Sequence, residues 1–109
     1  MSVTIKNKNA IMHAFIKGEI DHHTVPDIRE QIDDAVVSCE GIKTLVLDFS
    51  GVTFMDSSGV GLVMGRYRLV SARGIKLSVD NLSPRDYRIM KMSGIEKLAE
   101  VNQQESEKQ

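Results

Sequence analysis

The segment Phe54-Met55-Asp56-Ser57-Ser58-Gly59-Val60-Gly61 sets a carboxylate and two hydroxyls side by side. A short apolar run ending at an acid, Thr44-Leu45-Val46-Leu47-Asp48-Phe49, precedes it, and apolar side chains at helical spacing, Val60, Val63, Met64, Tyr67 and Val70, follow it. The hydroxyls therefore fall where a strand exit meets a helix start. The first turn of a helix carries backbone N–H groups without intrahelical partners and a partial positive charge. A phosphate on Ser57 would sit in that field at an accessible edge. The chemistry this suggests is a serine modified by another protein, hence a switch. On spacing alone the same residues serve equally as an ordinary helix start, because Ser and Asp both favour that place. In that reading Asp56 is the N-cap, a role compatible with orienting Ser57, and Ser58 hydrogen-bonds locally. Gly59, Gly61 and Gly65 resemble a dinucleotide-binding glycine pattern with the third glycine one residue late, and read instead as small residues that let the helix approach a sheet.

The elements that must position this segment follow from the remaining pattern. Val3-Thr4-Ile5 is a short strand, Asn7-Lys8-Asn9 a turn, and Ala10 to Lys17 a second strand covered on much of both faces and ended by Gly18. Thr24 as N-cap, Pro26 in the first turn and Asp27 as a capping-box acid open a helix with Val25, Ile28, Ile32, Ala35 and Val36 on one face. Cys39-Glu40-Gly41 closes it. Thr44 to Phe49 is a strand covered on both sides. A second helix is predicted from about Ser57 to Arg73, stopped at Gly74. Ile75, Leu77 and Val79 alternate with Lys76, Ser78 and Asp80, predicting a half-exposed strand. Ser83-Pro84-Arg85-Asp86 repeats the cap pattern and opens a third helix to about Ser93, stopped at Gly94; Ile95, Leu98 and Val101 add a last packed segment. The fold class is α/β: a mixed four- to five-stranded sheet with helices packed mainly on one face, over residues 1–101. Residues 102–109 read as a polar, frayed tail.

Bulk properties narrow the function. One domain accounts for 109 residues. Fourteen basic against fifteen acidic side chains give a net charge of −1, which argues against a general nucleic-acid or membrane-surface binder. Cys39 is the single cysteine, so neither an internal disulfide nor a cysteine-rich metal site is available, as fits a reducing compartment. No leader pattern opens the chain and no apolar run approaches a bilayer span, so the expectation is a cytoplasmic protein without cofactor or metal.

Other candidates have plain structural readings. Asp21, His22 and His23 form a solvated turn suited to meeting a partner, because a metal site would need more converging ligands. His13 is a structural or edge side chain. Met12, Met64, Met90 and Met92 fill core gaps. Met55 and Val60 are apolar contacts for a partner, and Arg66 and Arg68 a solvated helix face. Two rival functions are weak. A serine hydrolase needs a base near Ser57 and a Gly-x-Ser-x-Gly elbow, and a kinase needs a P-loop; neither motif is present. A phosphoaspartyl receiver fits the length and Asp48 at a strand end, but Lys6-Asn7 stands where an acidic pair is needed and Asp33-Asp34 lies within a helix.

Two segments are familiar. Gly18-Glu19-Ile20-Asp21-His22-His23-Thr24 resembles the Gly-Glu-Leu-Asp turn of the STAS family, with Ile20 in place of the commoner Leu. The stretch Ser50 to Tyr67, with Asp56-Ser57-Ser58-Gly59 at its centre, resembles that family's phosphorylation loop and following helix. The likeness extends over nearly the whole chain. The His22-His23 pair and Gly65-Arg66-Tyr67 favour the anti-sigma factor antagonists of sporulation over their general-stress counterparts. The resemblance implies a non-enzymatic switch. Its unmodified form binds an anti-sigma factor that is also a serine kinase and so frees the sigma factor. The kinase phosphorylates the antagonist to release it, and a metal-dependent serine phosphatase restores it. Under that resemblance Ser57 is the phosphoacceptor, Asp21 faces the kinase, and Asp21, His22, Thr24, Asp56, Ser58, Gly59 and Val60 form the docking surface.

Overall fold

The computed structural model describes residues 1–105. Strands β1 (Ser2–Lys8) and β2 (Ile11–Ile20) form an antiparallel hairpin; α1 (Val25–Ser38), β3 (Thr44–Met55), α2 (Ser58–Ser71), β4 (Lys76–Leu82) and α3 (Pro84–Ser93) follow, then a single 3-10 turn (Ile95–Lys97) and β5 (Glu100–Gln103). Asn9 and Ala10, both at positive φ, make the two-residue hairpin turn whose twist matches the flanking strands.

The sheet order is β1-β2-β3-β4-β5, with β2 to β5 mutually parallel. Each new parallel strand is added on the same side of the last, and such crossovers are right-handed. All three helices therefore lie on one face. That face is the core: Met12, Ala14 and Ile16 of β2, Leu45, Leu47 and Phe49 of β3, and Leu77 and Val79 of β4 meet Ile28, Ile32 and Val36 of α1, Leu62, Val63 and Val70 of α2, and Met90 of α3. Fully burying a side chain of this kind contributes roughly 1.5–3 kcal/mol. The fold class expected from the sequence is the one found, with five strands.

Several local readings are corrected. Strand β2 alternates cleanly, with Met12, Ala14 and Ile16 buried and Ile11, His13 and Phe15 half-buried. It also runs through Gly18, at φ 105°, to Ile20, so the glycine bends the strand instead of ending it. Strand β4 is not half exposed. Ser78 is buried with Leu77 and Val79, and its hydroxyl donates to Asp80 Oδ1 at 2.6 Å, which removes the cost of burying it. Strand β3 passes Asp48 by seven residues, to Met55. Strand β5 continues to Gln103, past the boundary expected at residue 101, because Gln103 pairs with Leu82 and Asn102 Nδ2 donates to Asp80 Oδ1. The remainder of the expected tail, residues 106–109, lies outside the described residues. No described helix is long and apolar enough to cross a membrane.

Candidate functional site

The two loops singled out in the sequence leave the same end of adjacent parallel strands. Ile20 is in register with Met55, and the Asp56 amide donates to the Ile20 carbonyl at 3.1 Å. Asp21 and Asp56 thus start neighbouring loops. Between residues 15 and 20 the β2–β3 register slips twice, between Phe15 and Lys17 and between Gly18 and Glu19. These irregularities give β3 the extra length that carries Ser57 beyond the body of the sheet.

The first loop is organised by Asp21. Its Oδ1 accepts from the amides of His23 (2.8 Å) and Thr24 (3.0 Å), and its carbonyl accepts from Val25 N at 2.9 Å. Thr24 Oγ1 accepts from Asp21 N at 3.0 Å and donates to Glu19 O at 2.9 Å. Thr24 therefore holds the strand exit and makes no side-chain cap to α1, contrary to the capping box expected. Asp27 accepts from Gln31 Nε2 at 3.4 Å instead of capping. Asp21 is the residue that satisfies the entry turn. The amide of Thr24, foremost, and that of His23 hold its carboxyl below the ordinary value, against partial desolvation. His22 and His23 are exposed, their ring centroids 3.9 Å apart.

In the second loop Asp56 Oδ1 accepts from Ser58 N at 2.8 Å, and Asp56 O from Gly59 N at 3.0 Å. Ser57 occupies the N-cap position in helical conformation, φ −63° and ψ −14°, yet its side chain makes no cap bond. It is exposed. Asp56 does the capping and leaves the Ser57 hydroxyl accessible. The electrostatic expectation changes with this. The amides of Ser58, Gly59 and Val60 are all engaged, the last with Ser57 O at 3.1 Å, so the first turn of α2 offers a field but not three waiting donors.

Gly59 is buried, and a Cβ there would collide with the Met55 side chain. Nothing lies within 4 Å of a Cβ added at Gly61 or Gly65, so close approach explains only the first of the three glycines. Met55 is wholly buried beneath Gly59 and is no partner contact; Phe54, 45% exposed, is the apolar side chain that faces out, while Val60 is half-buried. Arg66 is not solvated. It is buried, with Nε 2.7 Å from Asp33 Oδ1, Nη2 3.2 Å from Asp33 Oδ2 and Nη1 on Leu62 O at 3.1 Å, clasping α2 to α1. Burial pulls this guanidinium below its ordinary pKa, and Asp33 opposes the shift. Of the methionines assigned to the core, Met92 is 87% exposed.

Asp48 lies mid-strand and buried. Its Oδ1 accepts from Ser50 N (2.9 Å) and Ser50 Oγ (2.6 Å), and its Oδ2 from Asn81 Nδ2 (2.8 Å). A carboxylate so occupied makes a poor phosphoacceptor, and the sheet order differs from the 2-1-3-4-5 of flavodoxin-like folds. The receiver alternative is set aside. Sequence reasoning also missed Arg85, which reaches from α3 to Met55 O at 2.9 Å and lies over the Phe54 ring at 5.7 Å. Its position after Pro84 marks a helix start but gives no sign of that reach.

A family model describing the STAS domain matches residues 2–108. The chain belongs to the STAS family. It is 33% identical over 103 residues to the anti-sigma F factor antagonist of Paenibacillus polymyxa, covering 93% of this chain and 86% of that one. It is 32% identical over 108 residues to the anti-sigma-B factor antagonist of Listeria monocytogenes, covering 98% and 93%. The anti-sigma factor antagonist SpoIIAA in its unphosphorylated form superposes with a TM-score of 0.76 at 31% identity, over 92% of this chain and 87% of that one. The Bacillus cell fate determinant SpoIIAA in its phosphorylated form superposes at 0.70, also at 31% identity, over 92% and 90%.

Proposed function

We propose that this STAS domain is an anti-sigma factor antagonist, a cytoplasmic binding protein without catalytic activity of its own. In this reading the unmodified form docks through Asp21, His22, Thr24, Asp56, Ser58, Gly59 and Val60 onto an anti-sigma factor that is also a serine kinase. Docking frees the sporulation sigma factor. Phosphorylation of Ser57 ends the complex, and a metal-dependent serine phosphatase restores it. The observation that carries the reading is the division of labour at the start of α2: Asp56 satisfies the helix and leaves the Ser57 hydroxyl exposed, beside the Asp21 loop. The antagonists of the same family at about a third identity support it.

The energetics favour a switch at the interface. A phosphoryl group adds about −1.5 to −2 charges and three acceptor oxygens. Buried against an unmatched surface, it costs several kcal/mol, roughly a thousandfold or more in affinity. The test is incubation with the cognate kinase and ATP, followed by site mapping by mass spectrometry. Label is expected on Ser57. A Ser57→Ala protein should bind the kinase and resist release, and Ser57→Asp should bind weakly. Continued labelling of Ser57→Ala would move the acceptor to Ser58, and labelling with ATP alone would overturn the non-enzymatic assignment.

A second reading, an antagonist of the general-stress pathway, is favoured by the similarity to the Listeria monocytogenes anti-sigma-B factor antagonist over nearly the full chain. Retention of one or the other pathway's kinase by the unphosphorylated protein separates the two.

A further inference from the structure

Where the phosphate would go in the free protein is the question the loop geometry raises. The amides of Ser58, Gly59 and Val60 are taken, and the Asp56 carboxylate beside them is a like charge. The helix field alone is worth no more than about 1 kcal/mol at an exposed site. A dianion at Ser57 therefore calls for a cation. The charged groups on the segments joined at this end of the sheet are Asp56 on the loop itself, Asp21 with His22 and His23 on the loop that follows Ile20, to which Asp56 N is bonded, and Arg85, which reaches Met55 O, with Asp86 next to it on α3.

Arg85 is built to serve. Its Nη1 donates to Met55 O at 2.9 Å and lies 3.3 Å from Asp86 Oδ1. Those two bonds are the ones it makes among the described residues, and both use Nη1, leaving Nε and Nη2 available. The side chain is 56% exposed, and its guanidinium sits over Phe54, whose ring supports it from one side. Consecutive Cα atoms are about 3.8 Å apart, so Ser57 Cα lies within about 7.6 Å of Met55 Cα. A phosphoserine reaches further still from its own backbone. The β3–β4 ladder ends at Asp48 and Asp80, so no β4 partner separates α3 from the β3 exit.

We propose that Arg85 is a phosphate-binding residue in cis: its free guanidinium edge receives the phosphomonoester on Ser57, while Nη1 stays on the Met55 carbonyl. A fork of N–H donors suits a phosphate, and the carbonyl contact fixes the fork next to the loop before modification. The proposal rests on Ser57 being the modified residue. Its test is independent of the kinase, because phosphoserine is placed at position 57 by genetic encoding.

The phosphorus-31 resonance is titrated in three proteins carrying that phosphoserine: unchanged at Arg85, Arg85→Gln and Arg85→Lys. Amide spectra verify that each is folded. Phosphoserine has a second pKa near 6. With Arg85 present it should lie roughly 0.5–1 unit lower than in Arg85→Gln, the modest end of the range for opposite charges because the site is exposed. The difference should shrink in 1 M salt, where the Debye length falls to about 3 Å. Arg85→Lys, which keeps the charge, should recover part of the shift. Equal titration of the Arg85 and Arg85→Gln proteins overturns the proposal. So does a Lys variant indistinguishable from Gln, which would mean that Arg85 only braces Met55. A kinase that fails to label Ser57 refutes the functional reading and leaves this titration standing.

Discussion

Asp56 and Ser57 divide two duties that a helix start often gives to one residue, and Gly59 makes the division possible. Its missing side chain lets α2 begin directly over Met55. A methyl group ordinarily stabilises a helix by about 1 kcal/mol relative to glycine. At position 59 the collision outweighs that gain: Gly59→Ala should lose roughly 1–3 kcal/mol, the usual cost of overpacking. Gly61→Ala and Gly65→Ala meet open space and should be neutral or stabilising by up to about 1 kcal/mol. Urea denaturation of the three variants checks the opposite signs; a stable Gly59→Ala would mean that α2 is seated otherwise. Asp21 gives a second residue-scale prediction. Its folded pKa is depressed below the ordinary 3.8, so its contribution to stability is fully present above that value and is lost as pH falls through the lowered one. Asp21→Asn should lower stability at neutral pH and flatten the stability curve on the acid side of pH 4. An acid limb as steep as that of the unaltered protein would show that the Thr24 and His23 amide bonds contribute nothing to folding.

The elements themselves were largely legible, because periodicity reports which face is buried and caps report where helices begin. Ser83 shows this best: its Oγ accepts from Asp86 N at 3.1 Å, Pro84 opens α3, and Gly94, at φ 86°, closes it. The misreadings concern side chains whose hydrogen-bond partners, near or far along the chain, periodicity and cap patterns do not reveal. Ser78 looked solvated because Asp80 and Asn102 complete its surroundings across two strands. Thr24 looked like a cap because nothing local shows that its hydroxyl turns back to Glu19. Arg66 looked solvated because Asp33, thirty-three residues away, is invisible to helical spacing. That clasp yields an asymmetric prediction. Arg66 is 6% exposed at its side chain and Asp33 31%. Removing Arg66 leaves a carboxylate that water reaches, so Arg66→Met should cost about 1 kcal/mol or less. Asp33→Ala strands a buried guanidinium and should cost roughly 2–4 kcal/mol, somewhat under the full price of breaking a buried pair. Equal losses, or the reverse order, would show that the pair does not join α1 to α2 as described.

At the scale of the whole molecule, the site stands at one end of a sheet whose centre has little freedom to respond. Leu45, Leu47, Phe49, Leu77 and Val79 are buried on the helix face, and on the opposite face Asp48 and Asp80 hold Ser50, Asn81, Ser78 and Asn102 by hydrogen bonds. Close-packed interiors of this kind do not deform continuously. The residues proposed to meet a phosphate at position 57, by contrast, are exposed or lie at strand ends. On the proposed function, a switch built this way would change what the surface presents and leave the fold as it was. Amide chemical shifts measured before and after phosphorylation should therefore move in residues 21–24, 54–61 and around Arg85, and stay within error in residues 11–16, 44–48 and 76–80. Large shifts in β3 and β4 would mean that the charge is relayed through the core, and that loss of partner binding follows from a changed conformation. Confinement of the shifts to the loop end would assign it to charge and desolvation at the contact itself, because a ligand or modification moves an equilibrium only by its differential interaction with the two states.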